Sequence, residues 1–432
     1  MVVNSVQRHS LFCLLLFVLY FLINFQTVAA AQPNWRPEVR SDTLGPQRFL
    51  AVDKSAQTFW LLEQQSPLRT LKQLPCSTGK ESGAKFIRGD LKTPDGVYFV
   101  KDRLTVGLDY NMYGDLAFTL NYPNPVDIIK GKTGQGIWIH GRGQPLTPYD
   151  TQGCVALNNS DIKDLDSVFE RGLPVVLADS LSLTKELPIS TIDTQTVLSN
   201  TNKWVTSFTL KSENHFNLYD TRKYSKSRGE SFSSIRKARR NLFSNSPWVD
   251  LYVEDIRIVQ GPDYWVSYFN ELLRYPTHAS EGVRRLYWQK NEQGFIVLVG
   301  MEYDELPLSL RNNYLASKRD DVLMFIEKWR QAWEKGNLNN YIEFYSDSAS
   351  QGGRIGRKSI IQQKSQLWNR EKAPATIVVR DISIGLHKEG LSVDFIQIYT
   401  SSDGQKDIGR KRLIISPTTT SWAILSEEWT SL

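Results

Sequence analysis

Ile137-Trp138-Ile139-His140-Gly141, followed downstream by Thr151-Gln152-Gly153-Cys154-Val155-Ala156-Leu157, is the stretch on which the reading of this chain turns. Cys154 lies 14 residues after His140. A thiol beside small, backbone-flexible residues, with one histidine nearby in sequence, has the parts that thiolate catalysis needs. The thiol must lose its proton to attack, and an imidazole within reach can accept it. Gly153 lets the backbone approach a substrate carbonyl closely, so neighbouring N–H groups could stabilise an oxyanion. On spacing alone, a buried structural cysteine and a strand-end histidine account for the pattern equally well.

Three further segments narrow the choice. They are Pro75-Cys76-Ser77-Thr78-Gly79-Lys80, then Gly89-Asp90-Leu91-Lys92-Thr93-Pro94-Asp95-Gly96-Val97-Tyr98, then Asn121-Tyr122-Pro123-Asn124-Pro125. Together with the His-Gly and Thr-x-Gly-Cys pair, they resemble the L,D-transpeptidase (YkuD-type) catalytic domain over roughly residues 47 to 180. The resemblance implies Cys154 as nucleophile and His140 as general base and later acid, with the Gly141 carbonyl orienting the imidazole where other triads use a carboxylate. It implies an oxyanion hole from backbone N–H groups at Gly153 and Cys154. It places Thr151, Arg142, Trp138 and Tyr122 at the substrate. Two features depart from better-known members: Ala156 stands where many carry Arg or Asn, and the loop from Arg142 to Gly153 is short. Both point toward the branch that includes cell-shape-determining L,D-carboxypeptidases. Arg142 could supply the missing charge or be a solvated loop residue.

The activity implied is acyl transfer on peptidoglycan stem peptides through a cysteine thioester. Capture by an amine gives a 3→3 cross-link (transpeptidase), and capture by water gives a tripeptide (carboxypeptidase). A non-catalytic wall-binding scaffold is the alternative of a different class. No cofactor is expected. A metal site is poorly supplied, since His140, His215, His278 and His387 show no paired spacing and no CxxC occurs. No Gly-x-Ser-x-Gly elbow supports a serine hydrolase.

With 432 residues the chain is too long for one ordinary domain. Its 41% hydrophobic and 11% aromatic content suits folded cores. A net charge of +6 is mildly basic, which fits anionic polymers or surfaces without singling out nucleic acid. The densest basic run, Arg222 to Arg240, reads either as an electrostatic surface or as a solvated helix face. Arg8, the apolar run Leu11–Ile23 and Val28-Ala29-Ala30-Ala31 have the layout of a secretory signal peptide over 1–31, with the periplasm as destination. The run is short for a spanning helix, and no later stretch reaches spanning length. Cys76 and Cys154 then share an oxidising compartment, and Cys76 is expected as a small buried hydrophobe.

The fold class expected is multidomain: a mainly-β catalytic domain at 45–180, a linker at 181–193, and two α+β cone-like domains at 194–306 and 316–432. Phe49–Asp53 and Gln57–Leu62 read as a hairpin, and Ile162, Leu165, Val168 and Phe169 have helical spacing. The two C-terminal domains rest on an internal repeat of about 126 residues, in which Trp204 corresponds to Trp329 and Val253–Ile258 to Val379–Ile384. The second copy resembles a nuclear transport factor two-like cone. Asp255 and Asp381 are expected at solvent, and Trp265, Trp288, Trp333 and Trp368 in core packing or lining a pocket. A cell-wall or morphogenesis partner is expected at these domains.

Overall fold

The computed structural model describes residues 34–184, 190–371, 376–401 and 404–432. The expected leader at 1–31 and the middle of the expected linker lie outside the described residues.

The first unit is built from β1 (Glu38–Val39), β2 (Arg48–Asp53), β3 (Thr58–Glu63), β4 (Arg69–Pro75), β5 (Gly96–Leu104), β6 (Ala117–Leu120), β7 (Trp138–His140), β8 (Val155–Ala156), β9 (Pro174–Ala178) and β10 (Ser182–Leu183). Eight of them form one sheet in the order β4-β3-β2-β9-β5-β6-β7-β8, and β1 pairs with β10 in parallel. β2 and β3 form the expected antiparallel hairpin. The helical spacing after Cys154 resolves into α3 (Asn159–Asp164) and a 3₁₀ turn at Asp166–Val168; α1 (Tyr110–Tyr113) and α2 (Pro125–Ile129) precede it. Asn124 caps α2 in a capping box with Asp127, and Pro125 takes the first helical position.

Phe49-Leu50-Ala51-Val52 shows no polar alternation because both faces of its strand are covered. Leu50 and Val52 face a core with Phe59, Tyr98, Phe118, Ile139 and Val155. Phe49 and Ala51 face the opposite way, toward Trp60, Val97, Phe99 and Val176. This second cluster is completed by Val259, Tyr264, Val266, Tyr287 and Val299, which belong to the next unit.

That unit carries α4 (Ile192–Thr209), α5 (Thr221–Arg228) and α6 (Phe232–Asn245). A meander follows: β11 (Asp250–Gln260), β12 (Trp265–Tyr275), β13 (His278–Lys290) and β14 (Ile296–Glu305). Period-two alternation gives the meander two apolar faces. Trp265, Leu286, Trp288 and Leu298 pack with Trp204 and Phe208 of α4, while Val266, Tyr287 and Val299 pack on the first sheet. Polar contacts align the two units. Tyr264 Oη accepts from the Val97 N–H at 2.9 Å, and Asn121 Nδ2 donates to Tyr287 Oη at 3.1 Å and to Glu302 at 2.8 Å. Buried Arg285 pairs with Asp304 at 2.6 Å and lies 4.4 Å over the Phe99 ring. The expectation of two units separated by a linker at 181–193 is therefore corrected. Ser182 and Leu183 are strand, the helix starts at Ile192, and the units share a core. In the basic run, Arg236 and Arg240 both pair with Glu213 on the exposed face of α6.

The third unit has α7 (Arg311–Glu334), α8 (Leu338–Ile342), β15 (Tyr345–Gln351), β16 (Arg354–Ile355) and α9 (Arg357–Glu371). β17 (Thr376–His387), β18 (Gly390–Thr400), β19 (Lys406–Pro417) and β20 (Trp422–Ser431) complete it. The sheet order is β16-β15-β20-β19-β18-β17. Its first helix begins at Arg311, ahead of the expected boundary at 316. The repeat recurs in detail. Trp204 Nε1 donates to Tyr219 Oη at 2.8 Å, and Trp329 Nε1 to Tyr345 Oη at 3.1 Å. Tyr219 bridges Leu298 in parallel as Tyr345 does Ile424. Asp255 and Asp381 are exposed, and both sit at a bulge with φ of 56° and 55°. Trp265, Trp288 and Trp333 are buried, and Trp368 is half-buried.

A Cβ on Gly300 would lie 2.3 Å from Pro125 Cβ across the shared interface. Gly300→Val should lower stability by about 1–3 kcal/mol through overpacking. Calorimetry should show the melting of the first two units begin to separate, and an unchanged single transition would refute the shared core.

Candidate functional site

His140 is the last residue of β7, whose parallel partner is β8: Ile139 pairs with Val155 and His140 with Ala156. This register sets Cys154, the residue before β8, level with Trp138 at the start of β7, on the sheet face that His140 also shares. Cys154 is half-buried, and His140 is only 3% exposed. His140 Nδ1 lies 2.6 Å from Gly141 O. A carbonyl only accepts, so Nδ1 holds the proton and Nε2 keeps a lone pair. Burial lowers the imidazole to about 4; the Gly141 contact opposes this and the Arg142 charge adds to it. Burial raises the Cys154 thiol to about 11, against the Trp138 backbone N–H and the Lys85 charge, which favour the thiolate. At neutral pH the resting groups are thus a thiol, which donates to Gly136 O at 3.6 Å, and a neutral imidazole.

A network of hydroxyls holds the cysteine loop. Thr151 Oγ1 donates to Cys154 O at 2.7 Å and accepts from the Gly153 N–H at 3.1 Å. Thr93 Oγ1 donates to Gly153 O at 3.0 Å and accepts from the Gly79 N–H at 2.9 Å. The Asp150 N–H donates to Ser77 Oγ at 2.9 Å, and Ser77 and Ala156 exchange backbone bonds at 2.9 and 2.8 Å. Gly153 has φ of 121°, and a Cβ there would lie 2.7 Å from Lys92 O, so only glycine fits. The Ser-Thr-Gly-Lys and Thr-Pro segments are therefore the straps of the cysteine loop.

The remaining expected residues separate. Of the expected oxyanion pair, the Gly153 N–H is given to Thr151 Oγ1. Thr151 is buried beneath the loop. Arg142 is committed to Asp150, at 2.8 Å to its carbonyl and 2.5 Å to its carboxylate, and Lys80 joins at 3.3 Å. Tyr122 is 4% exposed in the first core, its hydroxyl donating to Thr133 O at 3.2 Å. Thr151, Arg142 and Tyr122 each hold a contact within the scaffold. Trp138 stays half-buried at the site, its ring centroid 5.3 Å from that of Tyr113. Sequence reasoning missed Tyr113. Its ring stands edge-on to His140 at 5.0 Å, and burial together with the nearby Cys154 charge raises its phenol. Asp109, which caps α1, is the one local signal that could have marked this segment. Cys76 and Cys154 are both free, and Cys76 is buried, its thiol raised to about 12 by burial and by Asp53.

Alkylation of Cys154 by iodoacetamide should be slow at neutral pH. It should climb about tenfold per pH unit until near the thiol's pKa, because only the thiolate reacts. Acyl transfer should fall as pH drops through about 4, where His140 gains its proton and can no longer act as base. A plateau of alkylation near pH 7 would contradict the neutral resting pair.

Residues 47–177 match the L,D-transpeptidase catalytic domain family (YkuD), and residues 321–428 match the Cds6 C-terminal NTF2-like domain. The YkuD family comprises cysteine-dependent enzymes that modify peptidoglycan, which implies an extracytoplasmic location. No helix among the described residues is long and apolar enough to cross a membrane. Among solved structures, Bdellovibrio bacteriovorus Bd1075 is 24% identical with a TM-score of 0.47, covering 62% of this chain and 97% of that one. The helical cell shape determining protein Pgp2 from Campylobacter jejuni is 24% identical with a TM-score of 0.47, covering 59% and 91%. No curated protein matches.

Proposed function

Because residues 47–177 are an L,D-transpeptidase catalytic domain, we propose that this chain transfers the acyl group of a peptidoglycan tetrapeptide stem through a thioester on Cys154. His140 Nε2 takes the thiol proton as sulfur attacks the carbonyl of the third residue, probed first as meso-diaminopimelate. Negative charge gathers on the carbonyl oxygen against the Cys154 N–H. The imidazolium then protonates the departing D-alanine amine, and the thioester remains. An amine from a second stem takes the acyl group and forms a 3→3 cross-link. The observation that carries this reading is the neutral imidazole, tied through Nδ1 to Gly141 O, on the strand paired with the one that follows Cys154.

The hydrolytic outcome, trimming to a tripeptide, is a second reading, supported by the short loop from Arg142 to Gly153. Arg142, Lys80 and the Thr151 and Ser77 contacts hold that loop to the scaffold. That outcome would suit a role in cell shape, as named for Pgp2. Export to the periplasm through residues 1–31, and docking of a wall or morphogenesis partner on the C-terminal units, belong to the same proposal.

Digestion of purified tetrapeptide muropeptides by the wild type and Cys154→Ala separates the outcomes. Cross-linked dimers indicate transpeptidation, and tripeptides indicate trimming. Unchanged substrate with binding retained would indicate a scaffold. His140→Ala should slow acylation by a carbapenem-type probe by about 10²–10⁴-fold, and near-normal acylation would assign the base elsewhere.

A further inference from the structure

Both straps of the cysteine loop lead back to one place, the turn at residues 54–57 that joins β2 to β3. Gln57 is 8% exposed there, and its backbone is left-handed with φ of 50°. Its carboxamide uses every hydrogen bond that an amide can make. Oε1 accepts from the Thr78 N–H at 3.1 Å and from the Tyr149 N–H at 2.9 Å. Nε2 donates to Thr78 Oγ1 at 2.7 Å and to Lys54 O. Two backbone donors on one side and a carbonyl on the other fix which end of the amide is oxygen.

Lys54 takes the other strap. Its buried ammonium donates to Thr93 O at 3.2 Å and to Gly83 O at 3.1 Å, and pairs with buried Asp95 at 2.5 Å. The turn is itself anchored on the centre of the sheet. The Lys54 N–H donates to Ala178 O, at the end of β9, at 3.0 Å, and the Ser55 N–H to Asp179 O at 2.8 Å.

From Gln57 the path to the sulfur is short. Tyr149 is also left-handed, with φ of 54°, and its hydroxyl returns to Ser55 O at 2.8 Å. Thr151 then joins the first strap, its N–H donating to Thr78 O at 3.1 Å while its carbonyl accepts from the Lys80 N–H at 3.0 Å. Thr151 Oγ1 in turn holds Cys154 O and the Gly153 N–H. A left-handed backbone is costly for a residue with a Cβ, and glycine or asparagine is the usual occupant of such a turn. The turn alone therefore does not call for glutamine. The longer amide reaches two backbone N–H groups, which would be costly to bury without an acceptor.

We propose that Gln57 is a positioning residue for the reaction at Cys154: its carboxamide fixes the segment from Tyr149 to Gly153 on the first strap and so sets where the sulfur stands against the scissile carbonyl. Gln57 acts through the loop, and its role rests on the acyl transfer proposed above.

The test compares the full chain with Gln57→Leu and the near-isosteric Gln57→Glu, each at a temperature where melting curves show it folded. Gln57→Leu should lower kcat on tetrapeptide muropeptides by about 10²-fold, the loss expected of a misplacement of about 1 Å. KM should stay within about twofold of wild type. Hydrogen exchange at residues 149–154 should quicken about tenfold or more in this variant, while β5 and β9 keep their protection. Gln57→Glu should lose as much activity at pH 7, because a carboxylate has no proton to donate to Lys54 O or Thr78 Oγ1. Its deficit relative to wild type should shrink as pH falls toward about 5, where the buried carboxyl regains a proton and His140, lowered to about 4, is still a base. Wild-type kcat in both variants, a loss carried by KM, unchanged exchange at 149–154, or a Gln57→Glu deficit that ignores pH would each overturn the proposal. Should Gln57→Leu not fold, the pH profile of Gln57→Glu decides alone. Activity lost in Cys154→Ala but kept in the Gln57 variants would remove this role only, whereas a wild type without turnover would remove the cysteine reading and this role together.

Discussion

The placement of His140 and Cys154 depends on one short pairing, that of β7 with β8. A two-residue strand cannot hold its own register, yet the register of Val155 and Ala156 against Ile139 and His140 decides where the sulfur stands. A slip of one residue would turn the side chains to the opposite face. The register is kept by bonds that surround the strand. Ser77 grips Ala156 from the other side, Leu157 donates to His140 O, and Thr93 and Thr151 hold the two residues before Val155. Each such bond contributes about 1 kcal/mol, so position comes from their number and from the close approach at Gly153.

The same sheet is stiffened from its far side. β2, β5 and β9 run through the middle of the first unit, and one of their faces would meet water if the second unit were absent. The second unit therefore completes the core of the enzyme domain. Val97 shows the coupling at one residue, since its side chain lies in the shared cluster and its N–H donates to Tyr264. Tyr98, next in the chain, points into the opposite core and donates to Asp127 of α2.

What could be read from the chain follows from the range over which each signal acts. The His-Gly and Thr-x-Gly-Cys segments announce themselves because their chemistry and backbone demands are local. The hairpin of β2 and β3 and the helices of the repeat are legible for the same reason. The roles of Arg142, Thr151 and Tyr122 were not, because each depends on a partner that only the fold supplies: Asp150, the Cys154 carbonyl and the Thr133 carbonyl. Tyr113 reaches the site from a four-residue helix with no buried residue of its own, which leaves no periodicity to detect. The shared core was hidden in plain composition. The unbroken apolar run at Phe49–Val52 already required cover on both faces, but only the alternating Tyr264, Val266 and Tyr287 show what provides it.

The two C-terminal units separate what a scaffold must keep from what its interior can change. The Trp-to-Tyr hydroxyl bond, the parallel bridge behind it and the left-handed aspartate at the bulge recur in both copies. These fix backbone path and sheet curvature. Inside, the polar groups have moved. Position 271 is a carboxylate in one copy and its counterpart Gln397 is neutral, while Glu427 stands where the first copy has Met301. A carboxylate displaced from one strand to another still balances one cation, so an apolar core with one ion pair would be self-sufficient. Lys364 shares in that balance, since Glu427 favours its charge as it does that of Lys411.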